Sequence, residues 1–148
     1  MPRSPRHLPQ GYSFHITLRC NSREFLIAKG LRRDVLFSVL ARAQAKVPHK
    51  LYGVCLMANH LHLLIRPDDA SQLPKLMHWI SWYSAMALNR LAGHCGHFWE
   101  VRYYANPMAA GIRKRILWPL FQLRALQQAG MWWHQWMASK FSANGTND

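Results

Sequence analysis

Apolar and polar positions alternate without a break from Tyr12 to Cys20. Tyr12, Phe14, Ile16, Leu18 and Cys20 fall on one side; Ser13, His15, Thr17 and Arg19 fall on the other. A period of two is that of a strand with one buried face, because successive side chains leave a pleated backbone in opposite directions. After a turn-rich link the period lengthens. Leu31, Val35, Leu36, Val39, Leu40, Ala43 and Val47 form one helical stripe, with Arg32, Arg33, Arg42 and Lys46 largely outside it and Pro48 as a stop. From Leu51 to Arg66, two apolar runs flank the short polar step Ala58-Asn59, which predicts a tight hairpin. Ser71 is placed to cap a second helix over 72–91. Its buried face is Leu73, Leu76, Met77, Ile80, Ala87 and Leu91, and Gly93 ends it. G-H-F-W-E-V-R-Y-Y, residues 96–104, reads as a fourth strand. The order β-α-β-β-α-β predicts an α+β, ferredoxin-like antiparallel sheet with both helices on one face.

The 148 residues suit one domain with a real core. Nineteen Lys and Arg against six Asp and Glu leave a net charge of +13, which favours a polyanionic partner, nucleic acid first. The charge is uneven: residues 1–50 hold ten basic and two acidic side chains, residues 51–100 three of each. Residues 1–11, rich in proline and arginine, read as a basic arm. Cys20, Cys55 and Cys95 are too widely spaced for a zinc knuckle, and an odd count without a signal peptide fits the reducing cytoplasm. No apolar run approaches the roughly 20 residues that cross a bilayer, so no membrane partner is expected.

His60 and His62 open the second strand of the hairpin and project from one face, while Leu61, Leu63 and Ile65 point into a core. Two imidazoles side by side can chelate a divalent metal, although two ligands alone do not specify a site. His15 reads as a surface residue. Trp79, Trp82 and Tyr83 read as core aromatics rather than a base-stacking platform. Arg19, on the polar side of its strand, is placed to meet a phosphate.

At this hairpin the sequence resembles a family. A-N-H-L-H-L-L-I-R-P, preceded by Y-G-V-C-L-M, is similar to the histidine box of the HUH single-tyrosine transposases, in particular the REP-associated tyrosine transposases of the insertion-sequence 200/605 class. Three further blocks follow the family order within residues 12–114: Y-S-F-H-I-T-L-R-C-N-S-R-E-F, G-H-F-W-E-V-R-Y-Y and A-N-P-M-A-A-G-I-R-K. The resemblance implies the ferredoxin-like fold and a magnesium or manganese ion held by His60, His62 and a third polar ligand, which Asn106 matches. It further implies DNA cleavage and rejoining through a tyrosine, on single-stranded hairpin or palindromic repeat ends, by a monomer or homodimer.

The chain departs from that pattern at the nucleophile. In relatives the tyrosine lies four residues before the asparagine, on one helix face; here that position is Arg102. Tyr103, at i, i+3 to Asn106, and Tyr104 are the candidate stand-ins. R-Y-Y-A runs straight into N-P, which reads as an internal deletion near 104–106 within a transposase-like domain of residues 12–112. Arg19, Arg23, Arg32, Arg33 and Arg102 are the candidate DNA contacts. Residues 113–148 read as an aberrant tail. It holds four of the seven tryptophans. A one-base shift of a back-translation of Arg115 to Leu126 yields G-F-Y-G-P-Y-S-N-Y-G-H, similar to the family's continuation. The sequence therefore reads as a degenerate or inactive transposase copy. The alternatives are a non-catalytic DNA-binding remnant and a ferredoxin-like RNA-binding module, the latter disfavoured by an open face of His, Thr and Arg.

Overall fold

A computed structural model describes residues 6–28, 30–100 and 102–108. The tail at 113–148 and the first five residues of the arm lie outside the described residues. Four strands and two helices follow one another as β1 (Ser13–Arg19), α1 (Gly30–Lys46), β2 (His49–Leu56), β3 (His60–Pro67), α2 (Leu73–Ala92) and β4 (Tyr104–Met108). The sheet order is β2-β3-β1-β4, with every neighbouring pair antiparallel. This is the ferredoxin-like arrangement that the order of elements predicts.

The core lies between the sheet and the helix layer. Phe14, Ile16, Leu18, Val54, Leu56, Leu61, Leu63 and Ile65 point into it from the strands. Leu36, Leu40 and Ala43 from α1, and Leu73, Leu76, Met77, Ile80 and Leu88 from α2, close over them. Each strand gives alternate residues to this layer, which leaves the intervening residues on the far face. That face is not uniformly open: Ser13, Cys55, Leu64 and Met108 on it are all buried. Ser84 ties α2 to the segment before β4. Its hydroxyl donates to the Ile80 carbonyl at 2.6 Å and accepts Trp99 Nε1–H at 2.9 Å, so the buried indole keeps a partner.

Several expectations are corrected. Residues 96–104 do not form the fourth strand. Trp99 makes a single bridge to Cys20, and the strand proper is Tyr104–Met108, pairing with β1 from Ser13 to Thr17. The aromatic content of the earlier stretch serves the core instead: Phe98 and Trp99 are buried and in edge contact at 4.8 Å. Ser71 does not cap α2. Asp69 caps a 3-10 turn, Ala70–Gln72, by accepting from Ser71 N–H at 2.9 Å and Ser71 O–H at 2.8 Å, and α2 follows with a proline in its first turn. Leu31 and Leu91, expected in buried stripes, are exposed, each in the terminal turn of its helix. Gly93 does end α2, at φ 59°, where a side chain would be strained.

Candidate functional site

The hairpin between β2 and β3 closes where Met57 N–H meets the His60 carbonyl at 2.8 Å, leaving Ala58 and Asn59 as its tip. The tip does not stand alone. The linker after β1 wraps it: Cys20 N–H donates to the Asn59 carbonyl at 2.8 Å and Ile27 N–H to the Ala58 carbonyl at 2.9 Å. The Asn59 side-chain amide donates to the Arg23 carbonyl at 3.2 Å. To make this wrap, Ser22 and Arg23 take positive φ values of 52° and 57°, conformations that cost a non-glycine residue about 1 kcal/mol or more.

His60 and His62 leave β3 on the far face, half-buried, with ring centroids 4.8 Å apart and planes nearly perpendicular. His60 Nδ1 lies 2.7 Å from Asn59 Oδ1. A carboxamide oxygen only accepts, so His60 makes this contact through an Nδ1–H. Thr17, directly opposite His62, brings its hydroxyl to 3.1 Å from His62 Nδ1. His15 brings its Nε2 to 3.0 Å from the same atom. Burial pushes the His15 pKa below the usual imidazole value, which favours the neutral ring. His15 is thus part of the histidine cluster, which its place on a polar strand face did not indicate. The signal that could have found it is the shared face of two antiparallel strands.

The register fixes where the other candidates stand. Tyr104 is opposite Thr17, so Cys55, His62, Thr17 and Tyr104 form one row across the four strands. Asn106 is exposed and opposite His15, two residues farther along β1 and two strands from His62, roughly 10 Å across. Asn106 and Tyr104 share the histidine face through strand alternation rather than through a helix. The i, i+3 pairing of Tyr103 with Asn106 presupposes a helix, and this segment is a strand paired with β1. Tyr103 instead packs against the core side. Arg6 lies over its ring at 3.8 Å, and its hydroxyl is buried with no hydrogen-bond partner among the described residues. Burial raises the Tyr103 pKa against the pull of Arg6 and Arg102.

Among the candidate DNA contacts, Arg19 is exposed, opposite His60, and Arg23 is exposed in the linker. Arg102 lines an open cleft of about 750 Å³ along β4, with Arg6, His7, Asn21, Tyr104 and Asn106. Arg32 and Arg33 are half-buried and tie α1 to the linker, donating to the Leu26 carbonyl at 2.8 Å and the Ile27 carbonyl at 3.2 Å. Cys20 is buried and its thiol is pushed up to about 12, so it is a packing residue. Among the described residues no group of three His, Cys, Asp or Glu side chains is arranged to hold a metal ion, so a cation here would draw on the imidazoles and on amide or hydroxyl oxygens. In neutral His60 the Asn59 contact places the proton on Nδ1, so the nitrogen of ligand type is Nε2; His62 shares that face, while Asn106 stands two strands away. No described helix is long and apolar enough to cross a membrane.

The fold and site together define an α+β protein: a four-stranded antiparallel sheet with a His-x-His pair on the face away from the helices. Comparison with known proteins gives the family. The sequence profile described as "Transposase IS200 like" matches residues 10–116, and the chain belongs to that family. The fold is similar to that of a REP-associated tyrosine transposase solved bound to a REP hairpin, with a TM-score of 0.67 at 13% identity, covering 87% of this chain and 75% of the other. It is also similar to a candidate transposase from Deinococcus radiodurans, with a TM-score of 0.55 at 15% identity, covering 84% of this chain and 98% of that one. No curated protein sequence matches.

Proposed function

We propose that this chain keeps the DNA-binding face of an IS200-like transposase and a degenerate form of its strand-cutting site. Its substrate class is single-stranded DNA at hairpin-forming or palindromic ends, a reading supported by the likeness to a transposase solved with a hairpin. The observation that carries the reading is the row His62, Thr17, Tyr104 on one sheet face, with His60 beside it and Arg19 opposite His60. His60 and His62 would hold a divalent cation through Nε2, with Asn106 the third candidate. Magnesium and manganese are the ions the family resemblance implies. Such an ion, when bound, draws charge from the non-bridging oxygens of a phosphodiester.

The chain's own residues supply the rest. Arg19, Arg23 and Arg102 neutralise and orient the DNA backbone. A tyrosine oxygen, with Tyr104 the better placed, attacks phosphorus. Its P–O bond forms as the bond to the 3′-oxygen breaks; the phenol proton is lost to solvent and the leaving oxygen gains one. The product is a 5′-phosphotyrosyl link and a free 3′-hydroxyl. Return attack by a 3′-hydroxyl restores the phosphodiester without external fuel, since one phosphoester bond replaces another. Arg102 in the family's tyrosine position, and a third ligand set on a distant strand, make this copy impaired or inactive.

A hairpin-ended single strand incubated with the full chain and manganese tests the reading. DNA retention in a gel shift supports it, and loss of any nicking on His60→Ala or His62→Ala assigns the pair. If retention survives both changes and the wild type never nicks, the chain is a non-catalytic DNA-binding remnant. The strand setting of Tyr104 and Asn106 favours that second reading. Stronger retention of RNA than of hairpin DNA overturns both.

A further inference from the structure

We infer that Asn59 and His15 are positioning residues which hold His60 and His62 in one and the same tautomer, proton on Nδ1 and lone pair on Nε2. The inference deepens the metal reading above and rests on it. For His60 the proton's place follows from chemistry. The Asn59 amide is oriented by its own donation to the Arg23 carbonyl at 3.2 Å, so its oxygen, not its nitrogen, faces His60 Nδ1 at 2.7 Å. The tip carbonyls are held in turn by Cys20 and Ile27. Asn59 therefore has little freedom to turn its amide over.

For His62 two partners face one nitrogen. His15 Nε2 is 3.0 Å and Thr17 Oγ1 3.1 Å from Nδ1. The His15 and His62 rings lie 19° from parallel with centroids 5.1 Å apart. An N···N contact of 3.0 Å plus the two ring radii accounts for that separation. The rings therefore sit nearly edge to edge in a common plane, the geometry of a hydrogen bond, rather than face to face. One nitrogen donates and the other accepts. If His62 donates, both metal-candidate rings present Nε2. If His15 donates, the His62 proton moves to Nε2 and that ring cannot ligate through it. The inference assigns the first arrangement, with His15 as acceptor. Imidazole ligands commonly use their second N–H in this way, and loss of the partner typically weakens metal binding by roughly 10- to 100-fold.

Two measurements on the full chain test it. Long-range 15N–1H spectra of the imidazoles in the metal-free protein read the tautomers directly. The expected result is Nδ1–H at both His60 and His62; Nε2–H at His62 overturns the inference. Manganese titration followed by electron paramagnetic resonance reads affinity. His15→Phe, which keeps a flat ring without an acceptor, and Asn59→Ala should each weaken binding about tenfold or more. His15→Gln and Asn59→Asp, which return an acceptor oxygen, should recover most of it. Equal affinity in wild type, His15→Phe and Asn59→Ala overturns the inference. If the wild type binds no manganese, the metal reading fails by itself, and the nitrogen spectra still decide the tautomers.

Discussion

Tyr103 and Tyr104 are adjacent in sequence and opposite in setting. Strand alternation sends Tyr104 to the histidine face and Tyr103 to the core side, where Arg6 covers it. Tyr104→Phe is therefore expected to abolish any covalent protein–DNA product, seen as a slower band on a denaturing gel. Tyr103→Phe should leave that product intact and remove one unsatisfied buried hydroxyl. His49 gives a pH prediction. It is half-buried with Nδ1 2.7 Å from the Val47 carbonyl, and burial lowers its pKa despite that contact and Asp68. A folded-state pKa below the unfolded value of about 6.5 means that the unfolded chain takes up the proton first as pH falls. Urea-unfolding stability should be flat above about pH 7 and decline from about 6.5 downward, with a shallower decline in His49→Gln. At this scale the sequence was informative for His60 and His62, since a period of two needs no neighbour to interpret. It was uninformative for His15, whose part depends on which strand lies beside it.

Elements were legible where periodicity was strong and misread where one signal had two uses. Both helices and the hairpin follow their apolar patterns. The fourth strand does not, because aromatic residues favour strands and buried loops alike: Phe98 and Trp99 fill the core from a segment with only one bridge. The cap of α2 was misread because Asp69 and Ser71 are both good capping residues, and the carboxylate, with two acceptors, takes both Ser71 donors. The link from α2 to that segment rests on Ser84. Ser84→Ala leaves the Trp99 N–H buried without an acceptor and should cost about 1–3 kcal/mol, measured by urea unfolding. The linker offers the opposite change. Ser22 sits at φ 52°, so Ser22→Gly should stabilise the fold by up to about 1 kcal/mol, raising the melting temperature.

Over the whole molecule, the excess of positive charge predicts binding that salt weakens. Each phosphate contact on single-stranded DNA contributes about 0.7 to the slope of log affinity against log salt. Arg19→Ala, Arg23→Ala and Arg102→Ala should each flatten that slope by about one contact. Arg32→Ala, which loses a bond to the Leu26 carbonyl, should lower the melting temperature instead. The charge was visible in composition, but which arginines stand exposed and which tie α1 to the linker depends on the linker's path, which no local pattern encodes. The two faces of the sheet carry a wider consequence. Folding draws chiefly on one set of alternate residues in β1 and β3, and the site draws on the other. A lineage freed from the need to move DNA could lose its histidines and tyrosine one by one while its descendants went on folding. The shape of such a domain would then outlast its chemistry, leaving a stable basic platform open to new uses.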